Sequence, residues 1–300
     1  MSGCAMAIEA EKVQVEGVAI PIAAGLGADD RRFYKPRALQ YWITAGLLAL
    51  ITLLCFLGPH VLPIPGPSAT NLGSTNLPLF SPGHLFGTDD LGRDILSRCL
   101  WGGQISIEVG LGSVFIGGAI GTSLGTSAAF FGGLVDVVIM RLVDIFLAFP
   151  ALVLALAISS YLGPSERDEI IAISFFTIPA FTRYARAAAL RLREQDLLRS
   201  SEVIGSRPIR TILNHMVPNI AGTLMTFAFL TVAGAMLIEA TLSFLGAGIR
   251  PPEASWGNMI VEGQNYLSRS PQITFVPACF LFVTVLTLNL FGDALRVRRQ

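Results

Sequence analysis

Residues Arg183 to Asn219 read RYARAAALRLREQDLLRSSEVIGSRPIRTILNHMVPN, and this stretch decides the fold. Seven of the chain's 21 Lys and Arg residues fall within it, between two apolar segments long enough to cross a bilayer. Arg183 to about Ile204 continues as helix out of the apolar segment before it. Gly205 stands where a helix would end in a left-handed residue. Pro208, with its fixed φ and no amide hydrogen, suits the first turn of a second helix through Met216. Pro218 and Asn219 punctuate again, and Asn219 can cap the apolar segment that follows. A structured, basic connection of this length on one side of a membrane is expected to touch something.

Composition supplies the solvent. With 52% hydrophobic and 14% charged residues over 300 positions and a mean hydropathy of +0.62, there are too few charges to surround a water-soluble core of this size. Crossing the hydrocarbon takes roughly 20 apolar residues as a helix, because every backbone amide must be satisfied within the segment. Six stretches qualify: Leu39 to Leu57, Ile105 to Phe131, Val138 to Tyr161, Ile170 to Ala189, Ile220 to Phe244 and Ile273 to Phe291. The second and third are separated only around Gly132, Gly133 and Asp136, so a tight hairpin is expected there.

Lys and Arg are retained on the cytoplasmic side. Placing both termini inside leaves 16 basic residues inside and five outside, namely Arg93, Arg98, Arg167, Arg250 and Arg269. The fold class expected is therefore an all-α integral membrane protein with six transmembrane helices, N-in and C-in. Residues 1–38 read as a mostly disordered cytoplasmic extension, in which KVQVEGVAIPI alternates like a strand that has no core to join. Residues 39–57 form the first span, too long and too far from the start for a signal peptide. Residues 58–104 form an extracytoplasmic segment with an interfacial helix, 105–296 a five-helix core that includes the 183–219 loop, and 297–300 a cytoplasmic tail.

Cys4, Cys55, Cys99 and Cys279 are scattered, so neither a disulfide framework nor a zinc site is indicated. His60, His84 and His215 are equally isolated. No HExxH or GxSxG occurs, and Lys12 and Lys35 follow no phosphate-cradling glycine loop. No catalytic residue, metal site or bound cofactor is expected, and this chain should not hydrolyse ATP by itself. Nothing points to nucleic acid.

The segment HLFGTDDLGRDILSRCLWGGQIS, from His84 to Ser106, reads as a capped amphipathic helix. Thr88 or Asp89 can cap it, while Asp89 with Arg93 and Asp94 with Arg98 are i,i+4 pairs. An interfacial helix on the outer surface accounts for this pattern. Within the bilayer, Gly117, Gly121 and Gly125 recur every four residues and favour close helix packing. Asp136, Arg141 and Asp144 read as a local ion-pair network. Glu239 has no obvious local partner; it caps the following loop or faces a translocation cavity. Trp256 and Tyr266 suit either aromatic anchoring at the interface or a folded outer loop.

Five segments carry a family resemblance. A glycine ten residues before His215, followed by HMVPN, resembles the cytoplasmic EAA loop in permease subunits of ABC importers. GTDxxGRDxxSR, with Gly87, Thr88, Asp89, Gly92, Arg93, Asp94, Ser97 and Arg98 all in place, resembles the signature of the dipeptide, oligopeptide and nickel branch. MRLVDIFLAFP (140–150), EATLSFLGAGIRPPEASWGNMI (239–260) and NLFGDALR (289–296) resemble the same branch, and together they point to its C-type subunit over roughly residues 83 to 296. The resemblance implies a type I ABC importer permease architecture in a bacterial plasma (inner) membrane.

Its loop would form coupling helices that dock on a separate ATPase, with Gly205, His215, Pro218 and Asn219 matching by position and Ser206 and Arg207 beside them. Where the family shows an acidic residue and two alanines, this chain has Arg199, Ser200 and Ser201, which reverses a charge at the docking face. The resemblance also implies a second homologous permease subunit (a heterodimer), two ATPase subunits that hold ATP and Mg, an extracytoplasmic substrate-binding protein, and an outer gate with Glu239, Ser243, Trp256 and Asn258 as candidates. Peptides are the favoured cargo, and nickel or another small solute the alternative. A self-sufficient secondary transporter would place ionisable groups near mid-membrane, and the middles of these spans are nearly free of charge. A channel lined by small residues explains the glycines but leaves the loop without a purpose.

Overall fold

The computed structural model describes residues 38–193 and 208–298. The 1–37 arm, with its alternating stretch, and the 194–207 centre of the basic loop lie outside the described residues. That places Arg199, Ser200, Ser201, Gly205, Ser206 and Arg207 outside them as well. Among the described residues the chain is helical, with only two isolated β-bridges, Ser81 with His84 and Thr88 with Asp94. The helices are α1 (Ala38–Val61), α2 (Ile95–Phe131), α3 (Gly133–Ala148), α4 (Ala151–Leu162), α5 (Glu166–Arg193), α6 (Pro208–Phe244), α7 (Trp256–Gly263) and α8 (Gln272–Arg298).

Helices α1, α2, α6 and α8 are long and apolar enough to cross a membrane, and α3 with α4 qualify together as a pair bent by 85°. The expected third span is thus broken. Pro150 is the cause: it forces Phe149 into extended backbone (φ −86°, ψ 137°) and contributes no amide hydrogen. The expected fourth span, α5, is interrupted in composition by Glu166, Arg167, Asp168 and Glu169 at one end and Arg183, Arg186, Arg191 and Arg193 at the other. Large apolar side chains such as Trp42, Phe115, Leu134 and Phe282 are exposed, as lipid-facing positions require.

Helix α2 is the scaffold. It does not begin at an interfacial helix but runs unbroken from Asp94, which caps it by accepting the Ser97 amide at 2.7 Å, to Phe131. Its glycines meet a different neighbour at each level. A side chain at Gly103 would strike Trp256 at 2.6 Å, and one at Gly110 would strike Met236 of α6 at 2.9 Å. At Gly117, Gly121 and Gly125 the obstacle is α5: Thr177, the Ile178 carbonyl at 2.6 Å, and the Thr182 carbonyl. The expected packing role of the three glycines is therefore what they do. At this spacing the Thr177 hydroxyl donates across the seam to the Ser113 carbonyl at 2.9 Å, the kind of small-residue, polar contact that holds helices together in lipid.

Gly121→Val is expected to destabilise the protein by about 2–3 kcal/mol through overpacking against a carbonyl that cannot move aside, read as a lower unfolding temperature in detergent. Gly118→Ala, whose added carbon would sit 3.6 Å from the Phe181 ring, should leave that temperature unchanged.

Candidate functional site

The bundle has two chemically different ends. One carries residues 62–94, the 163–165 turn and residues 245–271, and is called the motif end. The other carries the Gly132 turn and the two ends of the 194–207 connection, and is called the loop end.

At the motif end, GTDxxGRD is a folded loop and not a helix. Gly87 (φ +77°) and Gly92 (φ +71°) occupy left-handed backbone, and a side chain on either would collide with the Leu77 or Asn71 carbonyl. Thr88, fully buried, takes the Leu77 amide at 3.0 Å and donates to the Ser74 carbonyl, so it fastens the loop and does not cap a helix. Asp89 accepts the backbone amides of Leu91 and Arg93 at 2.9 Å on one oxygen; on the other it accepts Arg93 Nε at 2.6 Å and Arg98 Nη1 at 3.1 Å.

The expected Asp89–Arg93 pair is thus present, while the expected Asp94–Arg98 pair is not. Arg98, 1% exposed, turns to Asp89 and to Glu262 of α7 at 2.9 Å, and Arg93 reaches the same Glu262 oxygen at 3.1 Å. Asp94 instead caps α2 and holds His84 Nδ1 at 2.7 Å. Ser97 donates to the Pro65 carbonyl at 2.6 Å. The eight motif residues therefore form one buried clasp whose far jaw, Glu262, lies outside the motif and obeys no spacing rule along the sequence.

The candidate gate residues meet directly behind this clasp. Glu239, fully buried, accepts hydroxyls from Ser106 of α2 at 3.2 Å and from Ser243 at 3.3 Å. Ser106 also accepts the Trp256 amide at 3.1 Å. Trp256, also fully buried, donates its indole nitrogen to the Cys99 carbonyl at 2.8 Å, so it is an internal strut and not an interfacial anchor. Asn258 forms a capping box with Ser255 and donates to the Glu253 carbonyl at 2.8 Å. Tyr266 donates to Asp90 at 3.1 Å, and that carboxylate holds the phenol above its ordinary pKa.

One buried group at this end was not singled out from sequence. Glu169, in the first turn of α5, is 1% exposed and neither carboxylate oxygen has a hydrogen-bond partner. The signal available was four charged residues, ERDE, opening an apolar segment.

At the loop end, α5 is tied to α3. Arg183 donates to Asp144 at 2.7 Å, Arg186 pairs with Asp136, and Arg193 donates to the Ala129 carbonyl at 3.1 Å. The expected Asp136–Arg141–Asp144 network is therefore replaced: both acids pair with the basic loop's own arginines, and Arg141 has no ion pair among the described residues. Pro208 begins a helix as expected, but that helix does not stop at Met216. Pro218 lacks an amide hydrogen, and the chain absorbs the defect in a π-turn, Ile212–Met216, where the Val217 amide bonds five residues back to Ile212. Asn219 consequently caps nothing and donates to the His215 carbonyl at 2.6 Å. His215, Pro218 and Asn219 share one exposed face of α6.

A bundle of apolar helices, a basic connection rooted by ion pairs at one end and a buried polar clasp at the other define a membrane transport permease. Residues 121–299 match the family described as the binding-protein-dependent transport system inner membrane component, and the chain belongs to that family of ABC importer permeases. It is 44% identical over 213 residues (71% of this chain, 70% of the relative) to the glutathione transport system permease protein GsiD of Shigella flexneri serotype 5b. It is 37% identical over 268 residues (89% and 88%) to a protein of Brucella suis biovar 1 named for a peptide transport system permease. Its fold is similar to a chain of the inward-facing MetNI methionine ABC transporter, with a TM-score of 0.55 at 18% identity, covering 66% of this chain and 94% of that one.

Removing the far jaw of the clasp, Glu262→Ala, leaves two buried guanidiniums sharing Asp89, with Asp90 3.9 Å from Arg93. A loss of about 3 kcal/mol is expected, together with new tryptic cleavage at Arg93 in limited proteolysis of the purified protein.

Proposed function

We propose that this chain is one of two homologous permease subunits of an ATP-driven peptide importer. It crosses the membrane six times, counting the bent α3–α4 pair as one span and α5 as another, with both termini inside. In this orientation the motif end faces outward, where a substrate-binding protein delivers its cargo, and the loop end faces two ATPase subunits that hold ATP and Mg.

The observation that carries the reading is the way the 183–219 connection is rooted. Arg183 and Arg186 lock its first helix to α3, and His215, Pro218 and Asn219 face outward from its second. Force that reaches either end of such a connection is delivered to a helix, α5 or α6. The peptide assignment draws on the names of the relatives, and no His or Cys cluster in the sequence calls for a metal cargo. A self-sufficient secondary transporter would need ionisable groups at mid-span. The buried carboxylates Glu169 and Glu239 stand instead in the first turn of α5 and near the end of α6.

Gly205→Asp should reduce peptide uptake in reconstituted vesicles by roughly 100-fold, the scale of losing a positioned contact worth about 3 kcal/mol, while membrane insertion persists; uptake at the wild-type rate would remove the coupling role. The orientation is tested separately. Cys99 is fully buried and cannot report, so Leu72→Cys, at a position 77% exposed, is placed in a background lacking Cys4 and Cys279. Labelling by an impermeant maleimide in intact cells is expected, and protection would reverse the topology.

A further inference from the structure

We propose that Glu169 and Glu239 form a binding site for a primary ammonium group at the motif end of the bundle; the assignment of that group as the amino terminus of a peptide rests on the peptide-importer reading.

The two carboxylates come from facing helices, α5 and α6, and each is about 99% buried or more. Their environments differ in a way that leaves one of them unfinished. Glu239 is supplied with hydroxyl donors by Ser106 and Ser243. Glu169 has no donor on either oxygen. Buried carboxylates are ordinarily paired or fully hydrogen-bonded, because nothing else replaces the water they have lost. Here the charges that act on Glu169 are those of Glu239 and Glu166, and those that act on Glu166 are Glu108 and Glu253. Among the described residues no arginine or lysine enters this set.

Exposure falls steadily along it. Glu108 and Glu253 are exposed, Glu166 is half-buried, and Glu169 is closed off. Carboxyls crowded between low-dielectric walls are balanced either by protons or by a cation, and the innermost is the one left without a partner.

The missing partner must bring positive charge and N–H or O–H donors together. A metal ion fits poorly, since no group of three His, Cys, Asp or Glu side chains is arranged to hold one among the described residues. A primary ammonium carries three donors on one centre, enough for Glu169, for the second carboxylate and for one further acceptor. A quaternary ammonium carries the same charge and no donor, and would leave Glu169 as unsatisfied as before.

The test is equilibrium binding of radiolabelled methylammonium and of radiolabelled alanylalanine to the assembled transporter in nanodiscs, without the binding protein and without ATP. Both are expected to bind saturably. Tetramethylammonium and N-acetyl-alanylalanine should fail to displace them. Glu169→Gln should weaken binding roughly tenfold or more, the loss of one charge-assisted hydrogen bond, while Glu169→Asp restores most of it. Binding of methylammonium that depends on Glu169, without binding of alanylalanine, would uphold the site and overturn the peptide reading. Absence of binding by either, or affinities unchanged in Glu169→Gln, would overturn the site. If the Gln variant does not copurify with its partner subunits, the wild-type competition decides: displacement by tetramethylammonium as strong as by methylammonium overturns the proposal.

Discussion

The close approach of α2 to α5 is the constraint on which the remaining structure depends. In lipid two helices gain nothing from excluding water, so contact must come from dispersion, hydrogen bonds and the absence of bulk. Gly117, Gly121 and Gly125 provide that absence, and the Thr177 hydroxyl uses it to reach the Ser113 carbonyl. Once α5 is seated, both of its ends are placed. One end sets Glu169 beside α6, and the other aims Arg183, Arg186 and Arg193 at Asp144, Asp136 and the end of α2.

The clasp at the motif end solves a different problem. Two nearly fully buried arginines need several acceptors each, and a buried charge left alone is strongly destabilising. Asp89 accepts two backbone amides on one oxygen and one N–H from each guanidinium on the other, so the remaining N–H groups need help from elsewhere. Glu262 supplies that help from α7 and in doing so pins the helix that carries Trp256 and Asn258. Loop 62–94, the start of α2 and α7 are thereby joined through charge, beside an apolar cluster that includes Ile95, Cys99 and Met259.

Sequence patterns reveal contacts that run along a helix and miss those between elements. The glycine repeat in α2 was legible because its period is that of a helix face. Asp89 with Arg93 was legible too, but Asp94 with Arg98 was misassigned: Asp94 is taken up by capping α2 and by His84, and Arg98 turns to Asp89 and Glu262 instead. Pro150 carried a readable break in the third span, since the residue before a proline is driven out of helical backbone. Glu262 and Glu169 carried no comparable signal. Each acts through a partner more than 60 residues away in the chain, and only the assembled bundle brings the partners together.

Helices α5 and α6 share one further property. Each runs from the loop end, where residues 194–207 join them, to the motif end, where Glu169 and Glu239 are close enough to act on one another electrostatically. The glycine seam holds α5 to α2 over about two turns, and ion pairs hold it to α3, so α5 resists displacement at its root. Helix α6 is built differently at its first turns. It enters through a π-turn, a register defect that can be taken up or passed along a helix more cheaply than an intact turn can be broken. Under the proposed coupling role, a push on the connection meets the held α5 on one side and this register defect in α6 on the other. In the proposed reading, movement at the basic loop and occupancy of the carboxylate site at the motif end act through the same pair of helices.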